Sequence, residues 1–199
     1  MRSLAGPGEW LATDAVRVVI AACVPLALVV ADATAAAVML LVLGGAMLTR
    51  GAHLPAAIDA ATQLVLLAAA WFAALDAYDA VAGLDLATHA AAGAVLALLS
   101  RALLLRAGLL PSGPDRRSVT ARVLHTATAV VALGVLWELG EWAGHVGISS
   151  EINVGYEDTL SDLVADALGG VVALVAAEVV AARMRRGRRA VPSPQAAGD

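Results

Sequence analysis

Three sets of acidic residues and histidines stand at helical spacing in this chain of 199 residues: Asp85 with His89, Glu138 with Glu141 and His145, and Asp158 with Asp162 and Asp166. Residues four apart lie about 40° apart around an α-helix, so each set forms a stripe on one face. Carboxylate oxygens with one or two imidazoles suit Mg²⁺, Mn²⁺, Ca²⁺ or Zn²⁺, according to number and geometry. The same groups can instead share protons. The candidate ligands of a divalent metal ion are Asp85, His89, Glu138, Glu141, Asp158, Asp162 and Asp166. Glu138 and Asp162 are the candidate catalytic pair, each serving as ligand or base. Plainer roles compete at the edges: Asp85 and Asp158 suit N-caps, while Glu141 and His145 suit interfacial positions. Glu138, Asp162 and Asp166 lie deepest and are hardest to explain structurally.

The elements that must hold these stripes are hydrophobic. Residues of apolar type make up 60% of the chain and charged ones 15%, with a mean hydropathy of +0.81. Such a chain belongs in a bilayer. Apolar windows predict an all-α, polytopic integral membrane protein with six transmembrane helices at about 13–31, 34–49, 55–76, 85–107, 119–145 and 158–183. The first two are a hairpin turning near Asp32, because a single helix over both would be about 55 Å long against a hydrocarbon core of about 30 Å. Residues 184–199, rich in Arg, Pro and Ala, read as a disordered basic tail. An early arginine, an apolar run and the stretch Val30-Ala-Asp-Ala-Thr-Ala35 also match a cleaved signal peptide, whose loss would leave five helices.

All thirteen basic residues are arginine. In this topology every one falls on one side of the membrane, which the positive-inside rule makes cytoplasmic, with both termini. Asp32, Asp76, Asp79, Asp85, Glu151, Glu157 and Asp158 fall on the other. The three stripes then share the outer half: His89 lies roughly 6 Å below its helix end, Glu138 about 10 Å and Asp166 about 12 Å. A charged aspartate at a helix centre costs roughly 2.5–3.5 kcal/mol, less towards the ends. That half holds no arginine or lysine. Apart from His89 and His145, positive charge must therefore come from metal ions, protons or a cationic substrate group.

Further polar positions are weaker. Asp59 and Gln63 share a face of the third helix, and His125 and Glu178 lie near the cytoplasmic ends of the fifth and sixth. About 20 Å of helix separates His125 from Glu138, so only a relay would connect the layers. Trp71, Tyr78, Trp137 and Trp142 read as interfacial belt aromatics. Cys23, the lone cysteine, excludes an intramolecular disulfide and reads as packing. No serine or cysteine has a credible activating base, and Ser161 points off the acidic stripe.

These residues predict a metal-binding pocket open to the extracytoplasmic face, with hydrolysis or group transfer on a lipid-linked or envelope small-molecule substrate as the activity. Alternatives are a cation- or proton-coupled transporter and a non-catalytic membrane partner subunit. The expected partner is the lipid bilayer, with no nucleic acid.

The runs Asp85-Leu-Ala-Thr-His89 with Gly93 and Arg101, Trp137-Glu138-Leu-Gly-Glu141-Trp142, and Asp158-Thr-Leu-Ser-Asp162-Leu-Val-Ala-Asp166-Ala-Leu-Gly169-Gly170 resemble the YjdF-like family of small bacterial inner-membrane proteins. That family carries D-x-x-x-H, Y-E-x-x-E-W and D-T-x-x-D elements in this order. The resemblance covers about residues 55–183 and implies a six-helix protein of the bacterial plasma membrane. It implies no particular activity. Trp137 stands where the family often has tyrosine, and Ala90 where an aromatic usually follows the histidine. The last run also faintly resembles the VanZ-like proteins.

Overall fold

A computed structural model describes residues 10–190 apart from 53, 151 and 153, with 188–190 described by backbone alone. Seven helices and no strand occur among the described residues: α1 (Asp14–Val30), α2 (Ala33–Gly51), α3 (Ala56–Ala74), α4 (Ala77–Ala80), α5 (Leu84–Arg106), α6 (Arg116–Gly147) and α7 (Tyr156–Ala190). By length and composition α2, α3, α5, α6 and α7 can each cross a membrane. The first expected span is the 17-residue α1, which falls just short of that length. Large apolar side chains such as Val29, Leu48 and Leu168 point outward, as they do where the surrounding medium is lipid.

Local chemistry sets the ends. The Asp32 carboxylate accepts from Ala35 N at 2.8 Å and makes the α1–α2 hairpin turn where the sequence places it. Asp115 caps α6 in the same way through Ser118 N at 2.9 Å, starting that helix at 116 rather than 119. Hydrogen bonds from the Ser118 hydroxyl and amide hold the Asp115 carboxyl below its ordinary pKa. Gly108, at φ +71, turns the chain out of α5. The third span ends at Ala74, not 76, because Asp76 adopts φ +52 and starts the separate turn α4. The last helix runs from Tyr156 to Ala190 instead of 158–183. Residues 184–190, expected in the disordered tail, are therefore helical, and 191–199 lie outside the described residues.

The helices form two groups. In the first, α1, α2 and α3 pack around Ile20, Cys23, Ala27, Met39, Val42, Ala46 and Ala70, giving Cys23 the packing role expected of it. In the second, α5, α6 and α7 close around Ala97, Val130 and Leu174. Of the spanning helices in the first group, only α3 packs on the second, against α5.

The second group holds a simple register. Contacts pair His89 with Asp166 and Arg101 with Glu178, so α5 and α7 run parallel. Arg122 meets Glu178, Val130 meets Gly170 and Gly134 meets Asp166, so each step along α6 is matched by an opposite step along α7. The next rung places Glu138 level with Asp162.

Candidate metal centre

Asp85, His89, Gly93 and Arg101 recur at multiples of four residues, and this face of α5 lies against α7. Two glycines let the backbones meet there. A Cβ on Gly93 would overlap the backbone of Asp166, and one on Gly169 would overlap the carbonyl of Ala90. Only glycine permits so close an approach. The result is that His89 enters the aspartate stripe of α7. Its Nε2 lies 3.7 Å from Asp85 Oδ1 and 3.8 Å from Asp162 Oδ2, and its Nδ1 lies 3.4 Å from Asp166 Oδ1.

Asp85, His89 and Asp162 each offer a ligand atom within 4.8 Å of the others, a grouping able to hold a metal ion. Asp166 stands on the opposite ring nitrogen. Its other oxygen faces Gly134 of α6, where an added Cβ would come within 2.7 Å. Asp162 and Asp166 are buried, and Glu138 is only 9% exposed. Asp162 Oδ1 and Glu138 Oε1 have no hydrogen-bond partner. Glu138 lies in the electrostatic field of His89, Asp158 and Asp166, and Glu141 in that of Glu138, His89 and Asp162. Asp158 is half-buried and acts on Asp85 and Asp162. The compact trio is thus Asp85, His89 and Asp162; Asp166 touches the imidazole, and Glu138, Glu141 and Asp158 surround it.

Other outer residues divide differently. His145 Nδ1 lies 2.7 Å from the Ile152 carbonyl oxygen and fastens the loop after α6 instead of joining the layer. Trp137 and Trp142 point outward, in keeping with belt positions. Trp71 packs on the α1–α2 core. Tyr78 on α4 meets Phe72 edge to face and donates its hydroxyl to Ala69 O at 3.2 Å. Burial, reinforced by Asp85, Glu141 and Asp162, raises its hydroxyl pKa. Sequence reasoning missed Tyr78 as a neighbour of the acids; the only signal was its position seven residues before Asp85. Ser161 is exposed and bonds to Asp158 O.

At the opposite end of the bundle carboxylates meet arginine. The Arg17 guanidinium holds both oxygens of Asp59 at 2.7 and 2.9 Å, and Thr49 donates to Asp59 at 2.8 Å. Arg17 and Arg50 also share Asp14. Glu178 accepts from Arg122 at 2.6 and 2.8 Å and from Arg101 at 2.8 Å. The Arg106 guanidinium bonds to Ala52 O. His125 is exposed, with Nδ1 against its own Ala121 carbonyl. It lines an open groove of about 580 Å³ with Arg116 and Arg117, far from the acidic trio. Asp59 and His125 sit on α3 and α6, which do not touch. Gln63 is buried with neither amide atom partnered.

A family described as predicted membrane protein (DUF2238) matches residues 10–183 of this chain. The chain belongs to that family. The match takes in α1 to α6, α7 as far as residue 183, and every residue of the acidic layer of this DUF2238 protein. No curated protein and no solved structure matches the chain.

Proposed function

We propose that this DUF2238 protein is a metal-dependent membrane enzyme whose site opens to the extracytoplasmic side, and that its YjdF-like motifs are the parts of that site. One observation carries the reading. Buried carboxylates gather around His89 without any arginine among the contacts, and two of their oxygens lack partners. Unpaired carboxylates in such a place take up either a proton or an external cation, and the ligand spacing of Asp85, His89 and Asp162 favours the cation.

Asp85, His89 and Asp162 would hold a divalent cation, with Asp166 orienting the imidazole from its other nitrogen. The cation would polarise the scissile group and lower the pKa of a bound water. Glu138 or Asp162 would act as ligand or accept the proton of that water, with Glu141 and Asp158 shaping the field. A site within the outer membrane layer suits a lipid-linked or envelope substrate. The arginine-rich end then faces the cytoplasm, and six spans, with α1 tilted little or the bilayer thinned, return both termini there. The bacterial plasma membrane is the corresponding location.

Transport draws less support, because Asp59 is engaged by Arg17 and His125 is on a different group of helices. The test is elemental analysis of purified wild type beside Asp162→Asn combined with Glu138→Gln. Metal should be retained by the wild type and lost from the double variant. Background metal in the wild type overturns the reading, and metal that survives both substitutions moves the site elsewhere.

A further inference from the structure

Asp162 turns its two oxygens towards different surroundings. Oδ2 faces His89 Nε2 at 3.8 Å, whereas Oδ1 is buried and without a partner. On the facing rung of α6, Glu138 Oε1 is also buried and without a partner. Asp162 is 2% exposed and Glu138 9%, so water does not solvate these atoms as it would at a surface. Leaving a buried acceptor unsatisfied costs about 1–3 kcal/mol, and more when it is charged. Two such atoms from neighbouring helices, at one level of the bundle, call for a shared partner, either a proton or a cation.

A single cation in the trio does not supply one. It would sit on the His89 side of Asp162, facing Oδ2. When ionised, Asp85, Asp162, Asp166, Glu138 and Glu141 also outnumber the positive charges that one dication and one imidazolium can bring. The atoms left over are all oxygens, which suit a hard cation. Mg²⁺ and its analogue Mn²⁺ bind through as few as one or two carboxylates and keep waters in the other positions.

We infer that Asp162 bridges two divalent cations: one among Asp85, His89 and Asp162 Oδ2, and a second, of the Mg²⁺ or Mn²⁺ class, between Asp162 Oδ1 and Glu138 Oε1. The inference rests on the metal-site reading above and adds a second ion to it. Two ions sharing a carboxylate lie close enough, about 3.5–4 Å apart in two-metal sites, for their electron spins to couple.

Manganese tests this directly. The full-length chain is purified in nanodiscs, loaded with MnCl₂, freed of excess ion and examined for manganese content and by electron paramagnetic resonance. The wild type should retain about two ions per chain with a spin-coupled spectrum, as a carboxylate-bridged pair requires. Glu138→Gln should retain about half of that, with the hyperfine-split signal of an isolated ion. One uncoupled ion in the wild type overturns the second site and leaves the single-cation reading standing. Two ions that remain coupled in Glu138→Gln also overturn it. If the wild type takes no manganese the inference fails, and its native metal content decides the single-cation reading separately. Because content and spectrum of the wild type are decisive alone, a poorly folding variant does not blunt the test.

Discussion

The two ends of the α5–α7 seam present buried carboxylates in opposite electrical circumstances. At one end Glu178 is gripped by Arg101 and Arg122; at the other, His89 is the one basic side chain among the described residues that pairs with Asp162 and Asp166. Both lie on the same helices and both are buried. The arginine end carries its own counter-charge and needs nothing from outside, so it reads as architecture. The histidine end does not, and the metal-site proposal rests on this imbalance. The same contrast holds for α1–α3, where Arg17 neutralises Asp59.

The largest expected effect breaks the arginine end. Arg17→Leu strands Asp59 and should lower stability by about 3–5 kcal/mol, read from unfolding in a mixed detergent titration. Adding Asp59→Leu should restore most of that loss, since an apolar pair replaces an ion pair at little net cost. A failure to recover would mean that the cluster does more than balance charge. A smaller effect comes from the seam between the ends. Gly169→Ala forces α5 and α7 apart and should cost about 1–3 kcal/mol while also lowering metal content, because His89 withdraws from Asp162. Unchanged metal content would show that the close approach does not position the imidazole.

The smallest effect has the opposite sign and sharpens the comparison most. In chelator, Asp162→Asn removes an uncompensated charge and should raise stability by up to about 1 kcal/mol. With metal at 100 times its dissociation constant, the wild type should instead gain about 2.7 kcal/mol that the variant does not. A loss in chelator as large as that of Arg17→Leu would erase the distinction between the two ends.

Apolar length made the helices legible, since only a long run free of charge can cross a bilayer. The acidic stripes were legible because four-residue spacing fixes a face whatever lies opposite. Partners across helices were not. Asp59 stood out only as a weaker polar position on the third helix, yet Arg17, 42 residues away, holds it inside. Glu178 is separated by 77 residues from Arg101 and by 56 from Arg122, and no periodicity announces such pairs. Gly169 was visible as a small residue, but its contact with Ala90 required the register of α5 on α7. Asp76 hid the end of α3 because its left-handed backbone, not its composition, stops the helix.

The parallel seating of α5 and α7 also has a consequence for biosynthesis. Asp85, His89, Glu138 and Glu141 are translated before Asp158, Asp162 and Asp166, so the nascent chain carries half of the polar layer before the other half exists. His89 meets no α7 aspartate until α7 arrives, and α7 cannot dock until Gly169 finds Ala90. Completion of the site and closure of the three-helix group are therefore a single late event in assembly.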